Sequence, residues 1–544
     1  MSAKKKRQQG KNPGPERSGL FSWLQNVRWT SWLLLFVILC FAFLRFRLRD
    51  VPLERDEGEY AYSGQLILQG IPPYLLAYNM KLPGTYAAYA LIMAVFGQTS
   101  AGIHIGLLLL NAATTLLIFA LARKLFGAYS AAFAGMTYAL LSASPSVLGM
   151  AGHATHFVVF AAVAGILILL SAIESHRLAL FFCSGSCLGL AFLLKQPGIV
   201  FSAFSIAYLI YSEWKRLVDW RFLLVRVGVL CAGIAWPFAL TCLLLFRAGV
   251  FKNFWFWTFS YARTYAADLS LAAGFHEFRA TVADLLRLNT AIWIIAACGL
   301  IALFWYRRAR SSAVFVTGLL VFSFAGVSAG LYFRSHYFIL LLPAMSLLCG
   351  LSVSTVQEFL TNRGLRFSQV IPPAVFAVAF AISLFQQRSF LFAPDPATAC
   401  RTIYSANPFL EAQQIGEYLK ANSLPSARVA IFGSEPEIYF YAARHSATGY
   451  IYTYGLMEDQ KYADRMQREM IDEVTRSQPE FLVFVDDELS WLWQPGGSRE
   501  TFFAWMQMYI NTQYEKTAQV EIEGSPGHLI DDTARIYVFR RNGK

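Results

Sequence analysis

The feature that most constrains this chain is a series of apolar runs, each near the roughly 20 residues a helix needs to cross the hydrocarbon core of a bilayer. They lie near 31–48, 102–121, 128–148, 157–172, 178–194, 198–212, 222–246, 290–305, 313–332, 337–356 and 371–387. With 56% hydrophobic and 16% aromatic residues over 544 positions, a soluble core cannot account for them. A polytopic α-helical membrane protein with about 11 to 13 transmembrane helices is expected. The formal net charge of +12 invites a nucleic-acid partner. Its Lys and Arg residues, however, form short clusters between the apolar runs, as membrane-flanking charge does, so no nucleic acid is expected. The cysteines fall almost entirely inside apolar runs, only Cys400 lying in a polar segment, and specify neither a disulfide framework nor a metal cluster.

Charge sets the orientation. Residues 82–98 (LPGTYAAYALIMAVFGQ) are short, enter through Pro83 and Gly84, and read as a helix lying at the outer surface rather than crossing. With that segment excluded as a span, the short inner loops carry Arg123, Lys124, Arg177, Lys215, Arg216, Arg221, Arg307, Arg308, Arg310, Arg363 and Arg366. The short outer connections carry only Lys195 and Arg334. This obeys the positive-inside rule and makes residues 1–30, with Lys4, Lys5, Lys6 and Arg7, a cytoplasmic basic tail. Residues 31–390 then form a membrane domain with outer loops 49–101 and 247–289. Residues 400–544 form an extracytoplasmic, periplasmic α/β domain on the same face. In that tail, 427–433 and 480–487 read as buried strands, 459–477 as the amphipathic helix between them, and 535–541 as a last strand.

The chemistry-bearing residues gather on the outer face. Asp56 and Glu57 in LERDEGEYAYSGQLILQGIPPY sit just beyond the first span, where a carboxylate could take a proton from an acceptor hydroxyl. On residue types alone, the same run, with Glu59, reads more readily as a solvated helix start favoured by the helix dipole. Lys81 in NMKLPGTY offers a cation to a phosphate or serves as an interfacial anchor. Lys195 in FLLKQPG and Arg334, His336 and Tyr337 in LYFRSHYFILLLP also sit at outer span ends. Three span ends thus present cations that could ring a phosphate head group. His153 and His156, near the start of the fourth run, could bind phosphate, form hydrogen bonds or, with acidic partners, hold a metal. The aromatic middle loop, with Trp255, Trp257, Tyr261 and Tyr265, suits sugar stacking, an isoprenoid path or a membrane-interface belt. FGSEPEIYFYAAR lacks the G-x-G-x-x-G spacing, and no nucleotide is assigned to it.

The loop RDEGEYAYSGQLILQG, followed by PPY and KLPGTYAAYALIMAVFG, resembles the first extracytoplasmic loop of the GT-C glycosyltransferases. It is most similar to family 39, the group of protein O-mannosyltransferases and the bacterial aminoarabinose transferase that modifies lipid A. The matching residues are Asp56, Glu57, Tyr60, Ala61 and Lys81, with Leu82 inserted before Pro83, and the likeness continues through LARKLFG, LLKQPG and RSHYFILLLPA. The resemblance implies a GT-C fold and a catalytic acid at Asp56 with Glu57 beside it. It implies carrier-phosphate or sugar contacts from Lys81, Lys195 and Arg334. Tyr60, His153, His156 and His336 complete the candidate substrate-binding set. Where many relatives carry a further acid at the start of a span, this chain has His153 and His156.

The expected activity is therefore inverting transfer of a hexosyl or pentosyl group from a polyprenyl-phosphate donor to a lipid, glycan or protein acceptor. The site would lie on the extracytoplasmic face of the inner (plasma) membrane. No cofactor is assigned, and use of a divalent metal is left open. Two rivals come from other classes. A transporter or flippase of lipid-linked sugars would carry ionisable residues at mid-membrane and internal repeats, which this chain lacks. A non-catalytic anchor would leave all function in the tail.

Overall fold

The computed structural model describes residues 29–267, 269–307, 309–492, 500–523 and 534–543. The basic tail and Arg308, which entered the charge argument, lie outside the described residues. In chain order the helices of the first part are α1 (Trp29–Arg47), α2 (Arg55–Leu68), α3 (Gly84–Phe96), α4 (Ser100–Phe126), α5 (Ala128–Leu141), α6 (Ala154–Ser175) and α7 (Leu178–Leu194). They continue with α8 (Ile199–Lys215), α9 (Trp220–Arg247), α10 (Leu271–Trp305), α11 (Ala313–Val327), α12 (Leu342–Asn362) and α13 (Ile371–Gln386). Every apolar run therefore contains a helix.

Among the described residues, seven helical stretches are long and apolar enough to cross a membrane by length and composition. These are α1, α4, α6, α9, α10, Ala309–Val327 and Ser335–Asn362. The other runs form shorter helices, and the sequence says why. Run 128–148 stops at Leu141 because Pro145 starts a separate turn, and α7 and α8 are split by the Gln196–Gly198 turn around Pro197. The 13-residue α3 rises only about 20 Å, less than the thickness of a bilayer's hydrocarbon core.

The middle loop is more helical than expected. Helix α10 begins at Leu271 and reaches its apolar half through a kink at Asn289 (φ −138°, ψ 27°). Buried Asn289 occupies that bend because its amide can be satisfied there. It donates to the Ser144 hydroxyl (3.1 Å) and accepts from Gln387 (2.9 Å).

The tail continues with α14 (Phe409–Asn422), β1 (Arg428–Phe432), α15 (Glu437–Ala442), β2 (His445–Ser446), α16 (Ala463–Ser477), β3 (Phe481–Asp486), α17 (Glu500–Gln513), β4 (Tyr514–Glu521) and β5 (Arg535–Arg541). The five strands form one sheet of order β2-β1-β3-β5-β4. β1 runs parallel to β2 and β3, while β5 is antiparallel to β3 and β4. The apolar strands β1 and β3 are central, and the loops after them face the membrane part of the chain.

Candidate active site

Helix α2 organises the site. Its start is fixed by a reciprocal cap in which the Glu57 amide donates to the Glu54 carboxylate (3.0 Å) and the Glu54 amide donates to Glu57 (3.4 Å). Asp56, in the first turn, faces a cavity of about 950 Å³. Lys81 Nζ donates to Asp56 Oδ1 and to Glu59 Oε2, 2.6 Å to each, while Tyr86 donates to the other oxygen of buried Glu59. Burial alone would raise the Asp56 pKa, but Lys81 holds it well below the usual carboxylate range. Asp56 Oδ2 remains turned towards two imidazoles, 3.8 Å from His153 Nδ1 and 3.9 Å from His336 Nε2.

The four candidate cations and imidazoles along the wall arrive from three segments, Arg334 and His336 sharing one. Thr85 of α3 donates to the carbonyl of Leu194 (2.6 Å), pinning the end of α7 and thereby Lys195. Lys195 Nζ lies 4.1 Å above the Tyr337 ring, and no carboxylate among the described residues pairs with it. Burial lowers its pKa to about 7. Arg334 packs over Tyr332, which stacks on Tyr265 (4.5 Å). His153 and His336 stack face to face, 4.0 Å apart at 9°. Burial lowers the His153 pKa to about 4, so its ring is neutral at physiological pH.

Asp56, His153 and His336 could hold a divalent ion, since each offers one ligand atom and these lie within 4.8 Å of one another. Both ring nitrogens of His153 are buried without a hydrogen-bond partner among the described residues, which fits a ligand role.

The structure thus brings Asp56, Lys81, Lys195, Arg334, His153 and His336 to one cavity and sends three expected residues elsewhere. Glu57 faces the core, accepting from the Gly152 amide (2.5 Å) and paired with His104 (3.1 Å). Tyr60 lies beneath Lys81, its ring 4.7 Å from Nζ. His156 is buried one turn below His153 and is not among the residues lining the cavity.

Residues from the tail were not anticipated here. Tyr450, Tyr452 and Tyr454 line the cavity, with Trp257 packed edge-on against Tyr450 (5.8 Å). Arg55 leaves α2 in the other direction, donating to Glu435 Oε1 (2.8 Å), the Ser434 carbonyl (3.1 Å) and Asn407 Oδ1 (2.5 Å). Gly58 permits this contact, because a Cβ there would fall 2.5 Å from Glu437 Cβ. The one sequence sign was YIYTYG, aromatic at alternate positions within a polar tail.

The model of the family described as dolichyl-phosphate-mannose-protein mannosyltransferase matches residues 81–241. No curated protein sequence matches the chain significantly. Among solved structures, ArnT from Cupriavidus metallidurans bound to undecaprenyl phosphate is 16% identical, with a TM-score of 0.59, covering 96% of this chain and 98% of that one. The oligosaccharyltransferase AglB from Archaeoglobus fulgidus, in complex with an inhibitory peptide and a dolichol-phosphate, is 13% identical with a TM-score of 0.52, covering 85% of this chain and 70% of that one. The same archaeal enzyme in the apo form gives 14% identity and a TM-score of 0.53, covering 93% of this chain and 74% of that one. The chain is therefore a multi-pass membrane protein with the GT-C fold of membrane glycosyltransferases.

Proposed function

We propose that this chain is a membrane glycosyltransferase that moves a sugar from a polyprenyl-phosphate donor to an acceptor on the extracytoplasmic face. One observation carries the reading: an ionised carboxylate with one uncommitted oxygen, Asp56, shares a cavity with Lys195 and Arg334, cations that no carboxylate among the described residues pairs with. The bound undecaprenyl phosphate in ArnT and dolichol-phosphate in AglB support a lipid-phosphate donor. The outer face, the inner membrane and the cytoplasmic N-terminus are part of the same proposal and rest on the charge asymmetry of the loops.

In this reading Lys195 and Arg334 meet the carrier phosphate and stabilise the charge that develops as it leaves. Asp56 Oδ2 accepts a hydrogen bond from the acceptor and orients it for inverting attack. Its depressed pKa makes it a weak base in the resting site, so the proton moves late, as the acceptor oxygen bonds to the sugar carbon. Lys81 holds Asp56 in place, and Glu57 acts as a positioning residue that caps α2 and ties it to Gly152. Asp56, His153 and His336 would hold a divalent ion, which would supply Lewis-acid polarisation in the cavity.

A lipid-sugar transporter is less well supported, because the charged groups of the cavity converge at one end of the helices. The test is mass analysis of surface glycolipids and glycoproteins from cells with and without the chain. Complementation by wild type but not by Asp56→Asn is expected. Unchanged glycans on deletion, or full rescue by Asp56→Asn, would overturn the proposal.

A further inference from the structure

The tail is not a bystander to the cavity. A continuous strut of side chains runs from Arg55, next to Asp56, back to the cavity wall. Arg55 bonds Glu435. The second Glu435 oxygen accepts from the Ser490 hydroxyl (2.5 Å), which itself accepts from the Ser434 amide (2.8 Å). The Ser434 hydroxyl accepts from the Thr453 amide (3.1 Å), and the Thr453 hydroxyl donates to the Ser490 carbonyl (3.2 Å). Glu435, Ser434, Ser490 and Thr453 are all fully buried. Such a satisfied buried network holds one geometry, and what it holds at its end is Tyr452.

The Tyr452 ring closes the loop, 5.7 Å from Lys81 Nζ, the ammonium that pairs with Asp56. Its hydroxyl oxygen is buried and has no hydrogen-bond partner among the described residues, although Tyr452 lines the cavity. A buried hydroxyl costs free energy unless something completes it. Burial and, after it, the carboxylates Glu59, Asp56 and Glu54 keep this phenol protonated. These carboxylates also disfavour a phosphate there, and neither Lys195 nor Arg334 is among the main charges acting on the phenol. The partner that fits an O–H donor beside carboxylates is a neutral group rich in oxygen.

We propose, on the basis of the donor assigned above, that Tyr452 of the tail contacts the substrate, its hydroxyl donating a hydrogen bond to a hydroxyl of the sugar being transferred. The tail thereby contributes to sugar selection, and Arg55, Glu435, Ser434, Ser490 and Thr453 are positioning residues for it.

The test compares the full-length protein with Tyr452→Phe, which keeps the ring and loses only the hydroxyl. Binding is measured for bare undecaprenyl phosphate and for a panel of undecaprenyl-phosphoryl hexoses and pentoses. The wild type should bind at least one sugar-bearing carrier more tightly than the bare one. Tyr452→Phe should lose about tenfold on that carrier, as deletion of one hydrogen bond predicts, and leave the bare carrier unchanged. Equal weakening for both ligands would mean a packing or phosphate role and would overturn the inference. So would an unchanged preference in the variant, or the lack of any sugar preference in the wild type. Failure of the wild type to bind bare undecaprenyl phosphate is a separate result, and it would overturn the donor assignment itself.

Discussion

Lys81 Nζ stands 2.6 Å from Asp56 Oδ1, within a site where the same ammonium also neutralises the fully buried Glu59. One cation thus serves two carboxylates a helical turn apart on α2. Lys81→Met removes it and leaves both acids uncompensated. Breaking a buried pair from one side costs about 3–5 kcal/mol; Lys81 and Asp56 are each partly exposed, which puts the expected loss at the lower end of that range. Thermal denaturation of the purified variant should show it, together with loss of transfer. Lys81→Arg should recover stability better than activity, because a planar fork cannot reproduce the two short contacts of an ammonium.

Lys195 gives the site a pH dependence of predictable sign. Burial holds its pKa near 7, so it is charged below that pH and loses its charge above it. A phosphodiester donor keeps a constant charge over this range, so donor affinity should fall as pH rises from 6 to 8.5. Lys195→Arg, always protonated, should flatten the curve. A wild-type profile that rises with pH would contradict a phosphate role for Lys195.

Arg55 and Glu435 form an ion pair in which Glu435 is fully buried. Arg55→Ala strands that carboxylate and should cost several kcal/mol of stability, on the scale of about 3–5 kcal/mol for one-sided removal. The double variant Arg55→Met, Glu435→Leu should cost less than the single one. A double-mutant cycle read by thermal melting checks this.

Gly84 approaches the end of α7 so closely that a Cβ would stand 2.4 Å from the Leu193 carbonyl oxygen. Gly84→Ala must move α3 or α7, at a cost of about 1–3 kcal/mol for overpacking. Because α7 ends at Lys195, weakened donor binding should accompany the lower melting temperature.

The membrane part was legible because bilayer physics writes it into hydropathy: each apolar run contains a helix, with Pro145, the turn at Ser335–Leu341 and the Asn289 bend among the features that altered lengths. Asp56, Lys81, Lys195 and Arg334 were legible as one cluster because each follows or precedes such a run on the same side. The strands β1, β3 and β5 were visible as apolar segments. β4 was not, since seven of its eight side chains escape full burial and it carries no clear alternation. Tyr452, Glu435 and Asn407 escaped for a different reason. Arg55 and Glu435 are 380 positions apart, and no local pattern records so distant a pairing.

That separation has a consequence for biogenesis. Synthesis at about 5–20 residues per second leaves helix α2 waiting on the order of tens of seconds for its partner. During that interval Arg55 has no Glu435, and Gly58 faces no Glu437. Helix α2 can settle into register only after the C-terminal domain has been made and has folded against it. A chain truncated before residue 435 would therefore insert in the membrane yet remain inert, so that catalytic competence doubles as a checkpoint on completed translation.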